Sequence, residues 1–162
     1  METENIMAEK IVEHSALEMY KQDQAKYSVV VNRRRAIPSI KDGLKPVQRR
    51  VVYGAYKDGL IKPSLKDKSA SLVGLVMKKY HPHGDSSIYD TIVTLVDWFK
   101  TKYPLFYGKG NWGNVGGAGA AAQRYTECAL SNFGYDVLID LLTQSENIVD
   151  WLDTYKRNGD KE

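Results

Sequence analysis

SASLVGLVMKKYHPHGDSSIYDTIVTLV, residues 69–96, holds two helix-length segments on either side of a short Pro- and Gly-containing break. Residues 69–79 read as one helix. After HPHG a second begins near Asp85, whose carboxylate is expected to cap the free amides of the first turn. In that second helix Ile88, Ile92, Leu95 and Phe99 fall on one side, and Ser86, Asp90 and Asp97 on the other. Two helices joined by so tight a turn form a helix-turn-helix candidate, whose second helix would enter a major groove.

Working outward, Ala8, Val12, Ala16 and Met19 predict an amphipathic helix over residues 4–20 with an acidic outer face. KYSVVVNRRRAI, residues 26–37, predicts a further helix ending near Pro38, because proline disfavours helix in the residue before it. In KDGLKPVQRRVVYGAYKDG, residues 41–59, Asp42-Gly43 reads as a turn, Pro46 as a first helical residue and Gly59 as a stop, with Val47, Val51 and Ala55 as the apolar stripe. Beyond Pro104 the texture changes. LFYGKGNWGNVGGAGAAAQRYTECALS, residues 105–131, is rich in glycine and aromatics with short alternating runs, which predicts a β hairpin or wing. A closing helix over 132–143, a strand in IVDWLDTY (148–155) and a polar tail complete the reading. The expected fold is mainly α with a small β wing, a winged-helix domain. Its parts are a helical arm at 1–25, the winged-helix domain at 26–155 and a tail at 156–162.

The net charge of +3 conceals a segregation along the chain. Residues 26–50 hold eight Lys and Arg against one Asp, whereas residues 1–25 and 126–162 are both net acidic. A basic middle of this kind suits a polyanion backbone. The single cysteine, Cys128, excludes an internal disulfide and a cysteine-based zinc cluster within one chain. No apolar run approaches the roughly 20 residues of a membrane helix. The acidic start argues against a secretory signal or transit peptide, so a cytosolic or nucleoid protein is expected.

Three motifs in order, YSVVVNRRRAIPSIKDGLKPVQRRVVY (27–53), KYHPHGDSSIYDTIV (79–93) and GKGNWGNVGGAGAAAQRYTE (108–127), resemble the DNA-cleaving A subunit of bacterial type IIA topoisomerases, DNA gyrase and topoisomerase IV. The similarity runs from about residue 26 to 155. It implies the winged-helix domain of the breakage-reunion core and an ATP-dependent topoisomerase active only with its partner subunit.

By the same resemblance Tyr125 matches the tyrosine that attacks DNA, Arg124 its neighbouring arginine and Arg35 the arginine that stabilises the cleavage transition state. His81, His83 and Arg50 match residues supporting cleavage, and Lys45 and Arg49 match basic positions along the duplex. Ser86 and Asp90 match the pair that anchors quinolone drugs through water and magnesium. The implied partners are duplex DNA, a B subunit that binds Mg2+ and hydrolyses ATP, the tower and coiled coil of the A subunit, and a second copy of this chain. The tower and coiled coil lie beyond the resemblance, on the same or a separate polypeptide. Two departures stand out: Gln48 where a gyrase A subunit usually has histidine, and GGAGAAAQ (116–123) in place of GDSAAAM.

The chemistry implied needs such residues. Reversible breakage of a phosphodiester requires a nucleophile that keeps the bond energy as a phosphoester, which tyrosine does. A tyrosine hydroxyl in water titrates near pH 10, so cations must stabilise the phenolate and the five-coordinate phosphorus. Arginine suits that role because its planar fork holds two phosphate oxygens while staying charged. His83 would shuttle a proton or donate to phosphate. Without the upstream motifs, Tyr125 alone would read as a packed strand residue, HPHG as a turn, and Asp90 and Asp97 as solvated helix face. The rival class is a helix-turn-helix DNA-binding module without cleavage activity, which predicts salt-dependent affinity and no covalent adduct.

Overall fold

The computed structural model describes residues 15–139, 151 and 153–156. The chain divides into two units, Met1–Ala36 and Ile37–Glu162.

In the first unit one helix, α1 (Ala16–Arg35), replaces the two expected on either side of residues 20–26. None of its residues is buried, and Ala16 and Met19, read as part of an apolar stripe, are exposed. The earlier part of that expected helix lies outside the described residues. The helix ends before Pro38 as expected, and its last turn carries Arg33, Arg34 and Arg35, favourably placed at the negative end of the helix dipole.

The second unit is a three-helix core with a small sheet. Helix α2 (Pro46–Lys57) starts on Pro46, where the missing N–H is no loss, and stops before Gly59 at φ +78°. Strand β1 (Asp67–Lys68) leads directly into α3 (Ser69–Lys79), and residues 80–84 connect it to α4 (Asp85–Val96). Val51, Val52 and Ala55 of α2 meet Leu72, Val73 and Val76 of α3 and Ile88, Ile92 and Leu95 of α4 in one continuous buried cluster. Each large aliphatic side chain buried there contributes about 1.5–3 kcal/mol.

Strands β2 (Phe106–Lys109) and β3 (Glu127–Leu130) form the expected hairpin, but β1 adds a third strand, in the order β1-β3-β2, all antiparallel. A two-residue strand of Asp and Lys leaves no apolar alternation to read. In β3 Cys128, Ala129 and Leu130 are all fully buried, so burial does not alternate along this strand. Tyr125 lies in a turn before β3 rather than in a strand.

Three further expectations change. Gly84, not Asp85, is the N-cap residue of α4, and Asp85 is its first helical residue. Asp97, expected on a solvated face, ends α4 and is only 2% exposed. Its carboxylate accepts from Lys100 Nζ at 2.7 Å, and its carbonyl from the Thr101 hydroxyl at 2.8 Å, so the buried charge is paired. Phe99 therefore lies past the helix, edge-on to Trp98.

The closing helix opens as one α-turn, Asn132–Gly134, and widens into a π-helical segment, Tyr135–Ile139. Ser131 caps it by accepting from Gly134 N–H and donating to the Pro104 carbonyl, which ties this start to the entry of β2. Its expected continuation to residue 143 lies outside the described residues. Of the strand expected over 148–155, residues 148–150 and 152 lie outside the described residues; Trp151 and residues 153–155 join no strand of the sheet, and Trp151 packs edge-on against Tyr53.

Candidate nucleic-acid interface

The glycine-rich connection from β2 to β3 is long, yet it is held at many points. Gly113 at φ +93° occupies a position where a Cβ would lie 2.7 Å from the Ala118 carbonyl, so glycine alone fits the fold-back there. The Asn114 side chain accepts from Ala118 N–H, and Ala121 N–H donates to the Asn111 carbonyl at 2.9 Å. The Tyr89 hydroxyl on α4 donates to the Ala121 carbonyl, and Gln123 Nε2 donates to Asp85 at 3.0 Å. The sequence change to GGAGAAAQ thus leaves a loop anchored on α4, with Gln123 itself supplying one of the anchors.

Arg124 and Tyr125 project from the end of this loop. Tyr125 N–H closes a turn on the Ala122 carbonyl at 2.8 Å, and its ring is 63% exposed. The Arg124 guanidinium lies 4.7 Å from the ring centroid, a cation–π arrangement. The next residue is the opposite in character. Thr126 is fully buried, its hydroxyl 3.0 Å from that of Tyr89 and 2.9 Å from that of Ser69. Burial raises the Tyr89 phenol above the usual tyrosine value, against the hydrogen bond with Thr126, so it stays a proton donor at neutral pH. Burial likewise pushes the Cys128 thiol up to about 11, which leaves it inert as a nucleophile.

A second cluster joins α2 to the turn before α4. Arg50 Nη1 is 2.9 Å from His81 Nδ1, and the His81 and His83 rings meet edge to face at 4.6 Å. Since guanidinium only donates, His81 Nδ1 is the acceptor in this pair and Nε2 is the protonated nitrogen. His83 is exposed.

The start of α2 shows why its basic residues are not equivalent. Lys45 is its exposed N-cap residue, and its N–H donates to Gln48 Oε1 at 2.9 Å, so the unusual Gln48 closes the helix start. Arg49 makes a two-pronged pair with Asp42, Nε to Oδ2 at 2.6 Å and Nη2 to Oδ1 at 2.8 Å. Asp42 also accepts from Leu44 N–H at 2.9 Å. Burial would raise the Asp42 carboxyl, but the Arg49 and Leu44 hydrogen bonds and the Arg49 charge together hold it below its usual 3.8. Ser86 and Asp90 are both exposed on α4, one helical turn apart. Arg35 closes α1 in the first unit, exposed.

Of the residues expected in a site, Arg124 meets Tyr125, Arg50 meets His81, and the His81 ring meets that of His83. Tyr89, Thr126 and Ser69, which lie beside the loop that carries Tyr125, had no site reading in the sequence, and Asp42, the partner of Arg49, was read there only as part of a turn. Only Asp42 had a local signal, a carboxylate seven residues before Arg49. Among the described residues no group of three or more His, Cys, Asp or Glu gathers to hold a metal ion, and no helix is long and apolar enough to cross a membrane.

Comparison with known proteins gives one family. The family of DNA gyrase/topoisomerase IV A subunits matches residues 35–161. The chain is 44% identical over 148 residues to the A subunit of DNA gyrase from Thermotoga maritima, covering 91% of this chain and 18% of that protein. It is 50% identical over 107 residues to that of Deinococcus deserti (66% and 13%), and 45% identical over 132 residues to that of Streptococcus pneumoniae (82% and 16%). It spans less than a fifth of the length of these relatives. Matches of this extent and identity, on a fold of three helices and a wing, place the chain in the family of DNA gyrase/topoisomerase IV A subunits.

Proposed function

We propose that this chain is the DNA-cleaving module of a type IIA topoisomerase A subunit, working on duplex DNA in the bacterial cytoplasm. The observation that carries the reading is Tyr125: a largely exposed phenol, under a guanidinium, at the end of a loop pinned to the core. An exposed aromatic ring gains little from burial, whereas a nucleophile must be reachable.

In this mechanism Tyr125 Oη attacks a backbone phosphorus and the P–O3′ bond breaks. The phosphate stays on tyrosine as a 5′-phosphotyrosyl ester, and the departing O3′ takes up a proton. The phenol proton leaves as the attack occurs, and reversal reseals the strand. Arg124 stabilises the charge that gathers on the phosphate oxygens, a role that the family resemblance also gives to Arg35. His83 donates to phosphate or relays the proton. Lys45, Arg50 and His81 bind the backbone, and Arg49 joins them as a donor whose charge is shared with Asp42. Two copies work together, one per strand, with the remainder of the A subunit.

The partner B subunit supplies ATP hydrolysis and Mg2+. The test is adduct formation on labelled DNA by the assembled enzyme. Denaturing gels should show a covalent complex that Tyr125→Phe abolishes. An adduct surviving that substitution refutes the nucleophile, and DNA binding without any adduct leaves only the binding-module reading.

A further inference from the structure

We propose that Tyr89 is the positioning residue for Tyr125, an inference that rests on the cleavage reading above. The Tyr125 ring is exposed, and the guanidinium of the adjacent Arg124 lies over it. Where the phenol sits is therefore decided by the backbone beneath it. One hydroxyl grips the chain on both sides of it, at the Ala121 carbonyl four residues before Tyr125 and at the Thr126 side-chain hydroxyl one residue after.

Three hydroxyl groups, Ser69, Thr126 and Tyr89, lie in hydrogen-bond contact one after another, and the series ends on the Ala121 carbonyl. A carbonyl only accepts, so Tyr89 donates there, and the Thr126 hydroxyl donates to that of Ser69. The three hydroxyls thus form one connected network, in which neighbouring bonds polarise one another. Ser69 N–H also donates to the Thr126 carbonyl at 3.0 Å, which ties the network to the start of α3. The helix that bears Ser86 and Asp90 and the loop that bears Tyr125 are joined through this relay. By contrast, the other side-chain tie from α4 to the loop, Gln123 to Asp85, is exposed.

Two measurements test the inference. In the isolated chain, Tyr89→Phe should speed amide hydrogen exchange at Tyr125 while interior amides of α3 keep their protection. In the assembled enzyme it should slow single-turnover adduct formation about tenfold to a hundredfold, the scale of an ångström-sized misplacement, with DNA affinity unchanged. Thr126→Val should slow it too, and Thr126→Ser, which keeps the hydroxyl, should retain the rate. Undiminished adduct formation by Tyr89→Phe overturns the positioning role alone. So does faster exchange spread evenly over the core, which would mark a purely structural residue. Failure of the unmutated enzyme to form an adduct refutes the cleavage reading and this inference with it.

Discussion

The Asp42–Arg49 pair predicts a measurable coupling with a definite pH dependence. The two side chains are 20% and 30% exposed respectively, so the pair sits between the two well-characterised extremes. Exposed pairs contribute about 0–1 kcal/mol and breaking a buried pair costs about 3–5 kcal/mol, which places this one near ~2 kcal/mol. The two-pronged geometry and the extra bond from Leu44 N–H support the upper part of that interval. For a chain of this size ~2 kcal/mol corresponds to a Tm change of about 4–8 °C.

Urea unfolding of the unmutated chain, Asp42→Ala, Arg49→Ala and the double variant would isolate the coupling. The sign with pH follows from the direction of the shift. The folded carboxyl titrates below 3.8, so its contribution is complete above that value and is lost as pH falls through the folded value. Coupling should be full at pH 7 and decline in acid below pH 3.8. A coupling under about 0.5 kcal/mol at pH 7, the noise of additivity, would refute the reasoning. So would a coupling that persists unchanged in strong acid.

Three further outcomes are expected. Replacing Lys45 and Arg50 with alanine should weaken binding to unrelated DNA sequences equally and reduce the salt slope by roughly one unit per lost phosphate contact, measured by titration at several salt concentrations; altered sequence preference at constant slope would contradict phosphate contacts. Ser86→Leu in the assembled enzyme should abolish quinolone trapping of cleaved DNA while sparing cleavage, since Ser86 and Asp90 share one exposed face of α4; equal drug response would count against that placement. Gly134→Ala should destabilise the second unit by about 1–3 kcal/mol as an overpacking change, because the added Cβ would clash with the Leu105 carbonyl; unchanged urea unfolding would show that the π-helical segment shifts without penalty.

Local chemistry in the sequence was enough for α2, α3 and α4: Pro46, Gly59 and the apolar repeats of α4 act within a few residues of themselves, where helical hydrogen bonds also form. The Arg124-Tyr125 contact is between chain neighbours, but Tyr125 stood out only through the three ordered motifs, which pointed to the family that the comparisons bear out. What tertiary structure decided is non-local. Strand β1 exists because Asp67 and Lys68 pair with Cys128 and Glu127 far along the chain, and that pairing makes β3 the central strand. Asp97 is the exception, buried although the partner of its carboxylate, Lys100, is only three residues on. The Ser69–Thr126–Tyr89 relay joins residues 37 and 57 positions apart, and a hydroxyl declares no partner until the fold removes water from around it.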